Sequence, residues 1–185
     1  GRALEGHVTA WAERVWYGRH PSGALLAPLG WVYCAAASLR KLAPGIGWVR
    51  RLRLPVPIVV VGNLTVGGTG KTPLVVWLAG ALRADGLRPG VIARGYRGKA
   101  KDWPRIVSPD SDPAQVGDEP VLLARRTGCP VVAGPDRVAA ARRLLETGSC
   151  DLVLCDDGLQ DLSLAHDVEI AVLDGARRLG NGRCL

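Results

Sequence analysis

The sequence predicts an α/β fold, a three-layer core built on a mostly parallel sheet and preceded by a basic, tryptophan-rich helical segment. Three observations point there. From Val56 onward, short β-branched runs alternate with helix-prone runs, as strands do when they return through crossover helices. One such run, Ile58 to Val61, stops at Gly62 and reaches a helix at Pro73 only through a glycine-rich turn. The 185 residues are enough for one core of this kind plus a small extra element.

Val8, Trp11, Ala12, Val15 and Trp16 recur at helical spacing, with Glu13 and Arg14 turned away. Pro21 to Leu39 carries no charge and is mostly apolar from Ala24, at the short end of a membrane span and weakened by Gly23, Pro28 and Gly30. Trp11, Trp16, Trp31 and Trp48 suit a lipid headgroup boundary. Arg40, Lys41, Arg50, Arg51 and Arg53 follow with no acid among them. Of the net charge of +7, residues 1–57 carry +6 and the rest +1. A basic excess interleaved with tryptophans argues for an anionic lipid surface and against nucleic acid. Residues 1–54 are therefore expected to form membrane-associating helices and residues 55–185 the core.

Within the core, the strand-like runs are Ile58–Val61, Gly90–Ala93, Pro130–Ala133, Leu152–Cys155 and Val168–Leu173. The helix-like runs are Pro73–Ala84, Glu119–Arg126 and Asp136–Glu146. Gly95 to Gly117, rich in Gly, Pro, Asp and Ser, is expected to be an irregular loop over a site. Five cysteines, an odd number without a C-x-x-C pair, argue against a disulfide framework or a zinc site. Cys150 and Cys155 then read as buried free thiols in a reducing compartment. A chain without Met that begins Gly-Arg and stops at Cys184-Leu185 reads as a fragment or a processed form.

The turn after the first strand is Thr65-Val66-Gly67-Gly68-Thr69-Gly70-Lys71-Thr72. It follows the phosphate-loop pattern G-x-x-x-x-G-K-[ST], with Thr65 in the first glycine position. Gly67, Gly68 and Gly70 let backbone N–H groups converge on phosphate oxygens, and the helix N-terminus adds its positive dipole end. Lys71 would reach the β- and γ-phosphates of ATP, and the Thr72 hydroxyl would ligate Mg²⁺. This predicts a nucleoside triphosphate site in a P-loop NTPase-like core. Two further stretches carry carboxylates. Asp151-Leu-Val-Leu-Cys-Asp156-Asp157 reads as a buried strand delivering an acid to its C-terminal end, where P-loop proteins hold Mg²⁺. Neighbouring strand residues point to opposite faces, so one of Asp156 and Asp157 should touch the metal directly. Gly117-Asp118-Glu119-Pro120 opens a helix after the long loop. Its acids either complement the helix dipole or stand beside the γ-phosphate, with Asp118 as general base.

The ordered motifs resemble the tetraacyldisaccharide 4′-kinase family, the lipid A 4′-kinases of Gram-negative bacteria. They are VGNLTVGGTGKTP, Arg94-Gly-Tyr96, Gly117-Asp-Glu-Pro120, Asp156-Asp-Gly-Leu-Gln160 and Asp167-Val-Glu-Ile170. Asp174-Gly, Arg177-Arg and Gly180-Asn-Gly182 continue the match, which runs from about residue 8 to the end. The resemblance implies ATP-dependent phosphorylation of the 4′-hydroxyl of an acylated glucosamine disaccharide 1-phosphate at the cytoplasmic face of the inner membrane. It implies Asp118 as the base-side carboxylate, and Glu119, Asp156 and Asp157 around Mg²⁺ and the phosphates. Arg94 and Tyr96 match the active-site loop, where substrate would bind. The candidate catalytic residues are thus Asp118, Lys71 and Asp157, and the candidate metal ligands Thr72, Glu119 and Asp156.

Leu159 and Asp161 stand where the family usually has Phe and His, and His166 where Arg is common, so His166 is given no catalytic role. The resemblance also implies a second domain beyond Leu185, carrying a histidine that pairs with the catalytic acid, so the chain alone is expected to bind nucleotide and turn over little lipid. Two other classes are weighed. A partner-regulated ATPase with a K-G-G-x-G-K-[ST] loop needs a lysine where this chain has Val66. A membrane-tethered nucleotide-binding module without its own chemistry stays open.

Overall fold

A computed structural model describes residues 27–42, 51–63, 70–148, 150–173 and 175. The chain divides into two compact units, Gly1–Val49 with Leu173–Leu185, and Arg50–Val172. In the first, α1 (Ala27–Leu42) exposes Trp31, Val32, Tyr33 and Leu39. Its 16 residues would extend ~24 Å, short of a hydrocarbon core. Among the described residues no helix is long and apolar enough to cross a membrane. The periodic stretch at Val8–Trp16 and the basic residues Arg40, Lys41 and Arg50 lie outside what is described, Arg40 and Lys41 in their side chains only.

The second unit holds the sheet. Its elements are β1 (Ile58–Asn63), α2 (Lys71–Ala84), β2 (Pro89–Ala93), β3 (Arg105–Val107), α3 (Pro113–Val116), α4 (Asp118–Thr127), β4 (Val131–Ala133), α5 (Arg137–Leu145), β5 (Leu152–Asp156) and β6 (Val168–Val172). The strand order is β3-β4-β2-β5-β1-β6. All neighbours are parallel except the edge strand β3, which runs antiparallel to β4. The three central strands are Val/Ile/Leu-rich because parallel strands are covered on both faces. Val61, Val91, Ala93 and Leu154 pack under α2 and α4 through Val75, Ala79, Val121 and Ala124. Ile58, Val60, Ile92, Val153 and Cys155 pack on the other side with Ala140, Ala141 and Leu144 of α5. This is the expected three-layer core.

Each predicted strand and helix of the core is present, with ends shifted by one or two residues. The long loop departs from expectation. Its middle pairs as β3 and its end turns as α3, capped by Asp112, whose side chain accepts from the Ala114 N–H at 2.9 Å. A three-residue strand is too short to show periodicity, and only β4 beside it makes it one. Cys129 and Cys155 are buried free thiols, but Cys150, at the edge of its apolar run, is only half-buried. Cys34 is disulfide-bonded, which departs from the expectation of free thiols in a reducing compartment.

Candidate active site

The site forms where β1 and β5 end side by side, because Val61 registers with Asp156 across the pair. Gly70 caps α2 with φ +83°, a conformation L side chains rarely adopt, and offers no side-chain acceptor to the helix. Among the described residues no side chain caps the first-turn N–H groups of α2, which suits an anion site at a helix N-terminus. The Lys71 ammonium donates to Asp157 Oδ1 at 2.7 Å and to Asn63 Oδ1 at 2.9 Å. The Thr72 hydroxyl lies 2.9 Å from Glu119 Oε1 and 3.2 Å from Asp156 Oδ2.

These distances set up an electrostatic conflict. A threonine hydroxyl carries one proton and faces two carboxylates. Asp156 is 1% exposed, and its other oxygen, Oδ1, is buried without a hydrogen-bond partner among the described residues. Burial first, and then the neighbouring Glu119 carboxylate, push the Asp156 acid up to about 6, against the pull of Thr72 and Lys71. Two close acids, an orphaned carboxylate oxygen and a hydroxyl make an oxygen set that a hard divalent cation would satisfy. Among the described residues no group of three or more His, Cys, Asp or Glu could hold a metal. Any Mg²⁺ here would need phosphate oxygens to complete its shell, which is the usual arrangement for that ion.

Asp118 is the exposed first residue of α4. It lines an open cleft of ≈ 510 Å³ with Thr72, Glu119, Val121, Leu122 and Arg125. Asp118 and Glu119 fall in the first turn of α4 and Arg125 and Arg126 in its last, so both ends of the helix also complement the dipole. Gly117 sets the approach of the long loop. Its φ is +92°, and a Cβ there would stand 2.7 Å from the Tyr96 carbonyl oxygen. Lys99 and Ala100 N–H groups donate to the Ala114 and Gln115 carbonyls at 3.0 Å, tying the loop down beside α4. Arg94 and Tyr96 are exposed, the Tyr96 carbonyl lies against Gly117, the residue before Asp118, and the Arg97 guanidinium is 5.4 Å from the Tyr96 ring centroid.

The structure thus gathers Lys71, Thr72, Asp118, Glu119, Asp156 and Asp157, drawn from positions far apart in sequence. Thr65, Val66, Gly67, Gly68 and Thr69 lie outside the described residues, as do residues 174 and 176–182. The open choice between the paired acids acquires a geometry: Asp156 faces Thr72, and Asp157, at φ +57°, leaves the strand and meets Lys71. Sequence reasoning missed two residues. Asn63 ends β1 and bonds Lys71. Arg137 is buried beneath the Asp156 and Asp157 carbonyls. Arg137 left one signal, a cation in the first turn of a helix, where the dipole disfavours it.

Comparison with known proteins bears on this arrangement. The LpxK family model, described as tetraacyldisaccharide-1-P 4′-kinase, matches residues 22–185. A protein from Alkalilimnicola ehrlichii named tetraacyldisaccharide 4′-kinase is 60% identical over 160 residues, which are 86% of this chain and 48% of that protein. A protein of the same name from Nitrosococcus oceani is 56% identical over 172 residues, covering 93% of this chain and 51% of its own length. Among solved structures, the "apo" form of LpxK from Aquifex aeolicus in complex with ATP superimposes with a TM-score of 0.75 at 33% identity. That superposition covers 86% of this chain and 52% of that one. The chain spans about half the length of the curated relatives it matches.

Proposed function

The chain belongs to the tetraacyldisaccharide-1-P 4′-kinase family, and from that premise we propose that it carries the nucleotide-binding and phosphoryl-transfer residues of a lipid A 4′-kinase. The reaction moves the γ-phosphoryl group of ATP to the 4′-hydroxyl of a tetraacylated glucosamine disaccharide 1-phosphate, giving the bis-phosphorylated lipid IVA. The observation that carries the reading is the convergence of Lys71, Thr72, Glu119, Asp156 and Asp157 at the end of β1 and β5, beside the Asp118 cleft.

Residues 65–72 would cradle the triphosphate through backbone N–H groups, as the phosphate-loop pattern implies. Asn63 and Asp157 hold the Lys71 ammonium at the ends of β1 and β5, from where it would pass to the β- and γ-oxygens. Thr72, Glu119 and Asp156 would hold Mg²⁺, and the unpaired Oδ1 of Asp156 fits that role. A cation held by these residues would supply positive charge against that developing on the phosphates. A sugar hydroxyl is a poor nucleophile at neutral pH, so transfer needs a base near it. Asp118, exposed at the head of α4, takes the proton of the 4′-hydroxyl, and Arg94 and Tyr96 border the acceptor. Residues 1–54 associate with lipid at the cytoplasmic face of the inner membrane, and residues 55–185 form the kinase core.

Nucleotide binding is tested directly. Lys71→Ala should weaken Mg-ATP binding by about 1.5–3 kcal/mol, as for a lost charged hydrogen bond; equal affinities by calorimetry would remove the phosphate site. The base is tested in a chain of the relatives' full length. There Asp118→Ala should cut kcat by roughly 10²–10⁴ while ATP affinity stays nearly intact. A wild-type kcat would sink the base assignment. ATP hydrolysis indifferent to the acylated acceptor would favour the membrane-tethered nucleotide-binding module instead.

A further inference from the structure

We propose that Arg137 is a positioning residue for the metal-binding carboxylate, acting through the main chain from the opposite face of the sheet. Arg137 opens α5 and is 3% exposed. Its Nη2 donates to the Asp156 carbonyl at 2.9 Å and to the Asp157 carbonyl at 3.1 Å. The alternation of β5 separates it from the chemistry. Cys155 packs on the α5 side, while the Asp156 side chain points the other way, to Thr72. The guanidinium therefore reaches the site through the backbone of two successive carboxylates.

Local stability does not account for an arginine here. Asp136 already caps α5, accepting from the Ala139 N–H at 3.0 Å, and a cation at the next position stands at the positive end of the dipole. Its Nη1 is buried with no hydrogen-bond partner among the described residues, an unfavourable state for a charged group. What the side chain does provide is one amino group bridging two consecutive carbonyls across a turn. At that turn Asp157 takes φ +57°, a conformation that persists in a non-glycine residue only when its surroundings hold it. Releasing the turn would let Asp156 swing away from Thr72 and Asp157 away from Lys71. The two acids would lose their relative placement without either being altered.

The inference rests on the metal reading of Asp156, so the test separates the two. ATP binding to the chain of residues 1–185 is measured by calorimetry with saturating Mg²⁺ and with none. Arg137→Ala should reduce the Mg²⁺ enhancement, the ratio of the two affinities, by roughly 10–100-fold, the usual scale for a lost partner behind a metal ligand, whatever shift a freed Lys71 brings to the metal-free affinity. Arg137→Lys keeps the charge without the planar fork, and should show a smaller loss in the same direction. A purely structural role would lower thermal stability and leave the Mg²⁺ enhancement alone, which would overturn the proposal. Should Arg137→Ala fail to fold, Arg137→Lys decides, since an enhancement equal to wild type overturns it equally. A wild-type chain whose ATP affinity ignores Mg²⁺ would overturn the metal reading and this inference with it.

Discussion

At neutral pH the Asp156 carboxylate is a buried charge facing a second acid, an unfavourable placement that a bound cation would relieve. The acid is pushed up to about 6 from 3.8. Between those values the folded chain holds a proton that the unfolded chain has released, so this group's contribution to stability falls as pH rises from about 4 to 6. Above 6 the deficit is constant, on the order of 1–3 kcal/mol. Asp156→Asn should therefore melt higher than wild type at pH 7–8 without Mg²⁺, with the gap closing toward pH 4. The same variant should lose the stabilisation that Mg-ATP gives the wild type. A gap that widens on acidification, read by calorimetric melting, would contradict the assignment.

The helix α4 and the loop before it form the next level. Gly117 lets the chain turn from α3 into α4 with the Tyr96 carbonyl lying against it, so the acid at the head of α4 and the Arg94–Tyr96 loop share one anchor. Gly117→Ala puts a Cβ at 2.7 Å from a backbone oxygen at φ +92°. It should destabilise the unit by about 1–3 kcal/mol, the usual range for a strained backbone position. Because the loop moves with it, the acceptor KM should rise more than the ATP affinity falls. Unchanged thermal melting together with an unchanged acceptor KM would show that the loop tolerates the displacement.

Over the whole molecule, charge is divided unevenly, with +6 in residues 1–57 and exposed Trp31, Val32, Tyr33 and Leu39 on α1. A helix of 16 residues is too short to cross a bilayer, so any lipid contact of α1 would be at its surface. If residues 1–54 hold the chain on lipid as proposed, vesicles should sediment the intact chain and leave one without residues 1–50 in the supernatant. Co-sedimentation of the intact chain should rise with the fraction of anionic lipid and fall with salt. Binding indifferent to both would leave α1 as a helix that packs on protein.

Much of the site could be read from the chain because its signals are local. Gly70-Lys71-Thr72 after a β-branched run, and Asp156 at the end of another, are patterns among neighbouring residues, and backbone sterics and alternation act at that range. The choice between Asp156 and Asp157 was not of this kind. It depends on a turn that throws Asp157 toward Lys71, 86 positions earlier. Nor did anything near Arg105–Val107 mark a strand, since β4 supplies its hydrogen bonds. Asn63 and Arg137 are ordinary residues in sequence and acquire a role only when β5 lies between β1 and β2. The sequence alone determined the kinds of chemical group and the element carrying each. The pairing order of the strands, a sum of weak packing contacts over distant residues, decided which of those groups meet.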